Sequence, residues 1–119
     1  MQYEYFYGAQ AEQFSFYRIP KALFTEPNFR ELSTDAKVLY GILLDRMSLS
    51  LKNQWLDAQN KVYIIFTVEE IMDALNCANQ KATRLMVELE KQAGLIERKR
   101  QGLGRPNLIY VKKLRSNDK

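Results

Sequence analysis

A chain of 119 residues, 46% hydrophobic and 27% charged, has the material for one packed domain and no reason to be disordered. With no histidine and a single cysteine, zinc sites, Cys/His nucleophiles and disulfides within the chain are excluded by inventory, and no cofactor or metal is expected. The formal charge of +4 is unevenly spread: residues 1–80 carry seven Lys or Arg against ten Asp or Glu, and residues 81–119 carry eleven against four, so the C-terminal third suits an anionic partner.

Residues 1–17 hold Tyr3, Tyr5, Phe6, Tyr7, Phe14, Phe16 and Tyr17, half of the fourteen aromatics in the protein. That is too apolar for a disordered tail, and the segment reads as an arm that docks either on its own domain or on a second subunit. Burying each ring would contribute about 1.5 to 3 kcal/mol. The rest of the chain already supplies its own apolar stripes, so the surplus calls for a partner, and a homodimer contact through Tyr5, Phe6, Tyr7 and Phe14 is expected.

Residues 18–115 read as one domain. Arg18-Ile19-Pro20-Lys21-Ala22-Leu23-Phe24 predicts an extended stretch and then a short helix with Pro20 at its first position, ended by Pro27. Ser33 suits the N-cap of a longer helix, with Asp35 in its first turn and Ala36, Leu39, Tyr40, Leu43, Leu44, Met47 and Leu51 as its apolar stripe. Residues 53–60 form a polar loop carrying Trp55, and Lys61-Val62-Tyr63-Ile64-Ile65-Phe66 predicts a strand.

Thr67-Val68-Glu69-Glu70 fits a capping box, with Phe66 and Ile71 placed as a hydrophobic staple. Val68, Ile71, Met72 and Leu75 share one face of the helix that follows, which ends near Asn76, a residue tolerant of the left-handed conformation. Asn76-Cys77-Ala78 is then a sharp turn, with Cys77 as a small apolar residue within it. A second helix runs from about residue 79 to 92, with Ala82, Leu85, Met86, Leu89 and Ala93 inward. Its outer face offers Asn79, Gln80, Lys81, Thr83 and Arg84. Amides and guanidinium groups pair bidentately with adenine and guanine edges in a major groove, and the helix N-terminus with Lys81 can hold phosphate. An ordinary solvated helix face would look the same, so the surroundings decide.

Those surroundings are basic. Gly94 stops the helix, and the stretches 95–100 and 107–113 read as two strands around the glycine-bearing turn Gln101-Gly102-Leu103-Gly104-Arg105-Pro106. From Leu95 to Arg115 there are seven basic residues against one acid, Glu97. Arg98, Lys99, Arg100, Arg105, Asn107 and Lys112 are the candidates for holding phosphates, with Arg105 beside Pro106 suited to a narrow minor groove. The 61–66 strand is expected to pair with this hairpin. The fold class is therefore α+β, mainly helical: a winged helix-turn-helix with a small three-stranded antiparallel sheet. Residues 116–119 read as a frayed tail at the start of a linker to a further C-terminal region.

Catalysis finds little support. Glu69 and Glu70 are accounted for by helix capping, no P-loop pattern is present, and Gly102-Leu103-Gly104 lacks the strand and helix that dinucleotide binding requires. No catalytic residue and no enzyme activity are expected. No apolar run approaches about 18 residues and no leader opens the chain, so a cytoplasmic protein without a membrane partner is expected.

The stretches 16–24, 32–50 (Leu32-Ser33-Thr34-Asp35-Ala36-Lys37-Val38-Leu39-Tyr40-Gly41 and onward), 62–72 and 94–107 resemble the RepA_N family, plasmid replication initiators of Gram-positive bacteria, over about residues 14 to 114. The resemblance implies a winged-helix N-terminal domain that binds double-stranded DNA at repeated sites, or iterons, in a plasmid origin. It also implies a longer initiator whose remainder engages host replication proteins. The sequence departs from the usual turn at Ala78, where a serine N-cap is common, so Asn79 is expected to cap the recognition helix or leave it frayed. A winged-helix transcriptional regulator and a protein interaction module of a replication complex are the other readings of the same residues.

Overall fold

The computed structural model describes residues 2–8 and 14–114; the tail expected at 116–119 and residues 9–13 of the arm lie outside them. The chain first crosses the domain as an extended segment and then forms α1 (Ala22–Thr25), in which Leu23 is wholly buried. The helix starts two residues later than expected: Ala22, not Pro20, is its first residue, Lys21 is the N-cap, and the Pro20 carbonyl accepts from the Leu23 N–H at 3.2 Å. A 3₁₀ turn, Pro27–Phe29, follows as the proline dictates.

α2 (Thr34–Met47) is the hydrophobic spine. The Ser33 hydroxyl accepts the Ala36 N–H at 3.1 Å, and Ala36, Leu39, Tyr40 and Leu43 are buried against the other elements. The expected stripe runs on to Leu51, but the helix ends at Met47 and Leu51 stands in solvent. Ser50 explains the exit from the helix axis. Its hydroxyl donates to the Tyr63 carbonyl at 2.9 Å and its carbonyl accepts the Trp55 N–H at 2.7 Å, which turns residues 48–54 into the following loop. On the opposite flank, the chain leading in from the arm crosses α2 at Gly41, where an added Cβ would lie 2.8 Å from Ile19 Cγ1 and 2.9 Å from the Arg18 carbonyl oxygen.

α3 (Val68–Leu75) carries the complete capping box: the Thr67 hydroxyl accepts the Glu70 N–H at 3.1 Å, and the Glu70 carboxylate accepts the Thr67 N–H at 2.9 Å. Asn76 ends the helix in the left-handed region at φ 55°. α4 (Asn79–Val87) continues through one π turn, Glu88–Gln92, and Gly94 at φ 67° reverses the chain so that the Leu95 N–H reaches the Leu89 carbonyl at 2.8 Å.

β1 (Ile96–Lys99) and β2 (Leu108–Val111) form an antiparallel hairpin, with Ile96 opposite Val111 and Arg98 opposite Ile109. The expected third strand is reduced to a single bridge, in which Ile64 and Ile109 exchange N–H···O bonds of 2.8 and 2.9 Å. The other edge of the 61–66 segment is held by different partners. Val62 is paired back to Leu56, the Tyr63 N–H goes to the Trp55 carbonyl, and the Ile65 carbonyl is taken by the Arg46 guanidinium at 3.2 Å. Both edges of the segment are therefore engaged, but on the β2 edge the pairing is confined to Ile64. Ile64, Ile96 and Ile109 nonetheless close one side of a core that includes Leu39, Leu43, Ile71, Leu85 and Leu89. No helix among the described residues is long and apolar enough to cross a membrane.

Candidate nucleic-acid interface

α4 meets its environment as two faces. Ala82, Leu85, Met86 and Leu89 are buried, which by the helical repeat turns Asn79, Gln80, Thr83 and Arg84 to solvent. Ala78 occupies the N-cap with extended backbone and no side-chain hydrogen bond, while Asn79 is the first helical residue and not the expected cap. Among the described residues no side chain caps the first turn of α4, which leaves N–H groups and the positive end of the helix dipole available there. Asn79 is occupied only loosely, accepting from the Thr83 hydroxyl at 3.5 Å. Lys81 is drawn aside into an exposed ion pair with Asp35 of α2 at 2.7 Å. Gln80 and Arg84 are the exposed polar side chains on this face with no hydrogen-bond or ion-pair partner among the described residues.

The hairpin stands beside this helix. Strand alternation puts Ile96, Arg98, Ile109 and Val111 on the face toward the helices and Glu97, Lys99, Leu108 and Tyr110 on the other. Arg98 therefore differs from the rest of the basic set. Its guanidinium donates to Glu90 Oε1 at 2.9 and 2.7 Å, its N–H donates to Oε2 at 3.2 Å, and the pair ties the hairpin to the π turn of α4. Burial pushes the Glu90 carboxyl upward, but the hydrogen bonds and charge of Arg98, with Lys91 nearby, outweigh it and hold the carboxyl below its ordinary value. Lys99, Arg100, Arg105, Asn107 and Lys112 are exposed, and none of these cations has an ion-pair partner among the described residues.

The hairpin tip folds back toward the helices. Arg105, Pro106 and Asn107 line a crevice of about 240 Å³ together with Thr67, Val68 and Ile71 at the start of α3 and Met86 of α4. On the outer sheet face, Tyr110 donates to Asp57 Oδ2 at 3.0 Å. The Asp57 carboxyl is held low, chiefly by the Lys61 N–H, against a smaller upward push from burial, with Tyr110 and Gln59 assisting. The Arg46 guanidinium lies 5.6 Å from the Trp55 ring and 5.2 Å from the Phe66 ring and bonds Glu70, so one cation braces α2, the loop and the start of α3. Sequence reading passed over this brace, although a single arginine in the last turn of a helix was a visible candidate.

In the arm, Tyr5, Phe6, Tyr7 and Phe14 are all exposed, and Phe6 and Phe14 meet edge to face with ring centroids 5.7 Å apart. Phe14 and Phe16 also meet edge to face at 6.3 Å, and just beyond the arm Ile19 packs against the core cluster.

The sequence profile of the RepA_N family, described as replication initiator protein A (RepA) N-terminus, matches residues 15–119. A protein of Lactobacillus helveticus described as a 41 kDa protein is 32% identical over 92 residues, which make up 77% of this chain and 26% of that protein. The chain thus spans about a quarter of the length of that relative. Three solved structures share the architecture. "N-Terminal domain of DNA binding protein" superposes with a TM-score of 0.78 at 38% identity, covering 98% of this chain and 90% of the other. "Structure of Rep-DNA complex" gives 0.77 at 38%, covering 97% and 89%. "Structure of MDR initiator" gives 0.75 at 39%, covering 97% and 92%.

Proposed function

Because this chain belongs to the RepA_N family of replication initiator proteins, we propose that it is the DNA-binding domain of a plasmid replication initiator, engaging double-stranded DNA at repeated origin sites. The observation that carries this reading is the pairing of an uncapped, outward-facing α4 with an exposed basic hairpin. In this reading α3, α4 and the hairpin act as a winged helix. α4 enters the major groove, where Gln80 and Arg84 read base edges and Asn79 and Thr83 assist. Lys99, Arg100, Lys112 and the amide end of α4 hold phosphates, Lys81 joins them on leaving Asp35, and Arg105 and Asn107 reach the adjacent minor groove. Arg98 serves by fixing the hairpin's angle to α4.

The solved relative described as a Rep-DNA complex supports DNA binding by this architecture. The domain works by binding alone, without chemistry of its own, in the cytoplasm. Two copies joined through Tyr5, Phe6, Tyr7 and Phe14 present two α4 helices together, and regions beyond this chain engage host replication proteins. Footprinting the chain on the origin of its own replicon tests the reading. Protection of repeated sites inside the origin, with affinity falling as salt rises by about 0.9 log units per log of salt for each neutralised phosphate, is the expected result. Protection confined to a promoter, or a near-zero salt slope, would overturn it.

A further inference from the structure

The least expected residue on the surface is Leu103. It is the most exposed large hydrophobic side chain among the described residues, at 103% relative exposure, and it stands at the apex of the hairpin turn. The turn around it is built rather than loose. Gly102 at φ 118° and Gly104 at φ 77° flank it, the Arg105 N–H closes onto the Gly102 carbonyl at 3.3 Å, and the Gln101 side-chain amide donates across the base of the turn to the Pro106 carbonyl at 2.7 Å. The two positive φ angles lie in a region that L side chains rarely adopt, so glycines there bend the backbone sharply and leave Leu103 alone at the tip.

Its surroundings indicate what it is presented to. Arg105 is two residues away, Lys99 ends β1 and Arg100 follows it, and no acid occurs between Glu97 and Asp118. A lone leucine framed by cations and bare glycine backbone suits a narrow anionic groove with an apolar floor. The minor groove of duplex DNA is such a surface, with phosphates on both walls and sugar and stacked-base edges within. Proteins that bind there often drive a single Leu, Ile, Met or Phe between base steps.

We propose that Leu103 is an apolar wedge that enters the minor groove beside Arg105 and partly unstacks a base step, so that the wing bends DNA as well as holding it. This rests on the DNA-binding reading above. It adds a residue that neither charge nor hydrogen bonding would nominate, and it gives an initiator a means of distorting duplex next to the sequence that α4 reads. Pyrimidine–purine steps, which unstack most easily, are the expected targets, so specificity arises at a position no side chain hydrogen-bonds.

The test uses the 119-residue chain and duplexes it selects from a random pool, with 2-aminopurine placed in turn at each flanking adenine and donor and acceptor dyes at the ends. The parent is expected to raise 2-aminopurine fluorescence at one step and to bend the duplex within the range of about 20 to 90° seen for side-chain wedges. Leu103→Ala is expected to lose both signals. Its affinity should stay within about tenfold of the parent, because lost contacts are offset by unstacking no longer incurred. Leu103→Met is expected to retain both signals. If Leu103→Ala bends and unstacks as the parent does, or if the parent binds tightly and shows neither signal, the wedge is refuted while DNA binding stands. If the parent selects no duplex at all, the DNA-binding reading fails and the wedge with it.

Discussion

Replacing Arg98 or its neighbour Lys99 by alanine removes one positive charge from the same strand in either variant, yet the two should fail in different assays. The Arg98 side chain is 25% exposed and its partner Glu90 17% exposed, joined by two guanidinium hydrogen bonds. Fully exposed pairs are worth about 0 to 1 kcal/mol, and orphaning one member of a fully buried pair costs about 3 to 5. This pair lies between. Glu90 keeps the residue-98 N–H as a donor after truncation, and its edge can rehydrate, so about 2 kcal/mol is expected, or a Tm fall of roughly 10 °C in a domain of this size. Lys99 is exposed and unpaired, so its loss should change stability by less than about 0.5 kcal/mol. On DNA the order reverses. Lys99→Ala should reduce the magnitude of the log-log salt slope by about 0.9, and Arg98→Ala, measured below its lowered Tm, should leave the slope nearly unchanged. Thermal unfolding and fluorescence anisotropy at several salt concentrations supply both readouts. The reasoning is refuted if Arg98→Ala lowers the slope while leaving Tm alone.

Gly41→Ala sets two effects of opposite sign against each other. Helix propensity would gain about 1 kcal/mol, but the new methyl meets the Arg18 carbonyl oxygen at 2.9 Å, a backbone atom that cannot rotate away, and overpacking costs about 1 to 3 kcal/mol. Net destabilisation of about 1 kcal/mol is expected from urea unfolding followed by Trp55 fluorescence, and a more stable variant would show that the arm root yields freely. Because the Glu90 carboxyl is held below its ordinary value of 4.5, its contribution is fully present above that value and is lost as pH falls through the lower folded value. Stability of Glu90→Gln should therefore depend less on pH than that of the parent across the acid limb, and parallel profiles would contradict this. Deleting residues 1–13 should convert a dimer to a monomer in analytical ultracentrifugation. A parent that is monomeric at high micromolar concentration, or a deletion that stays dimeric, would rule out the arm contact.

What was legible in the sequence is what local chemistry decides. Thr67 and Glu70 sit three apart and cap one another, Asn76 takes the left-handed conformation, and Gly94 reverses the chain, each for a reason contained within a few residues. The failures are of another kind. Leu51 continues the apolar period of α2, and only the distant demands of Tyr63 and Trp55 on Ser50 pull the chain out of the helix before it. The 61–66 segment has the β-branched and aromatic character of a strand, but strand length depends on which partners its N–H and C=O groups find. Here Leu56, Trp55 and Arg46 hold one edge, and on the other only Ile64 finds a partner, Ile109. Arg98 is different again, because its signal was present. Ile96 must face the core, so strand alternation already turned residue 98 inward and residue 99 outward.

Correcting Arg98 changes how the charge of the C-terminal third is distributed. Residues 81–119 carry eleven basic and four acidic side chains. Two of those acids are spent inside the fold: Glu90 on Arg98, and Glu88 on Ser33, whose N–H and hydroxyl it accepts at 2.9 and 3.0 Å. Glu88 thereby joins the N-cap of α2 to the π turn of α4, as Glu90 joins that turn to the hairpin. Glu88 and Glu90, two residues apart in the π turn, lie on different sides of it, so α2, α4 and the hairpin are tied together within one turn. Lys81 is likewise half committed, to Asp35. Among the described residues, what remains without an ion-pair partner is Lys99, Arg100, Arg105, Lys112 and Lys113 on and after the hairpin strands, with Arg84 and Lys91 on α4 and its π turn. The acids that appear to dilute the basic surface are the struts that aim it, and removing one should cost orientation before it adds attraction.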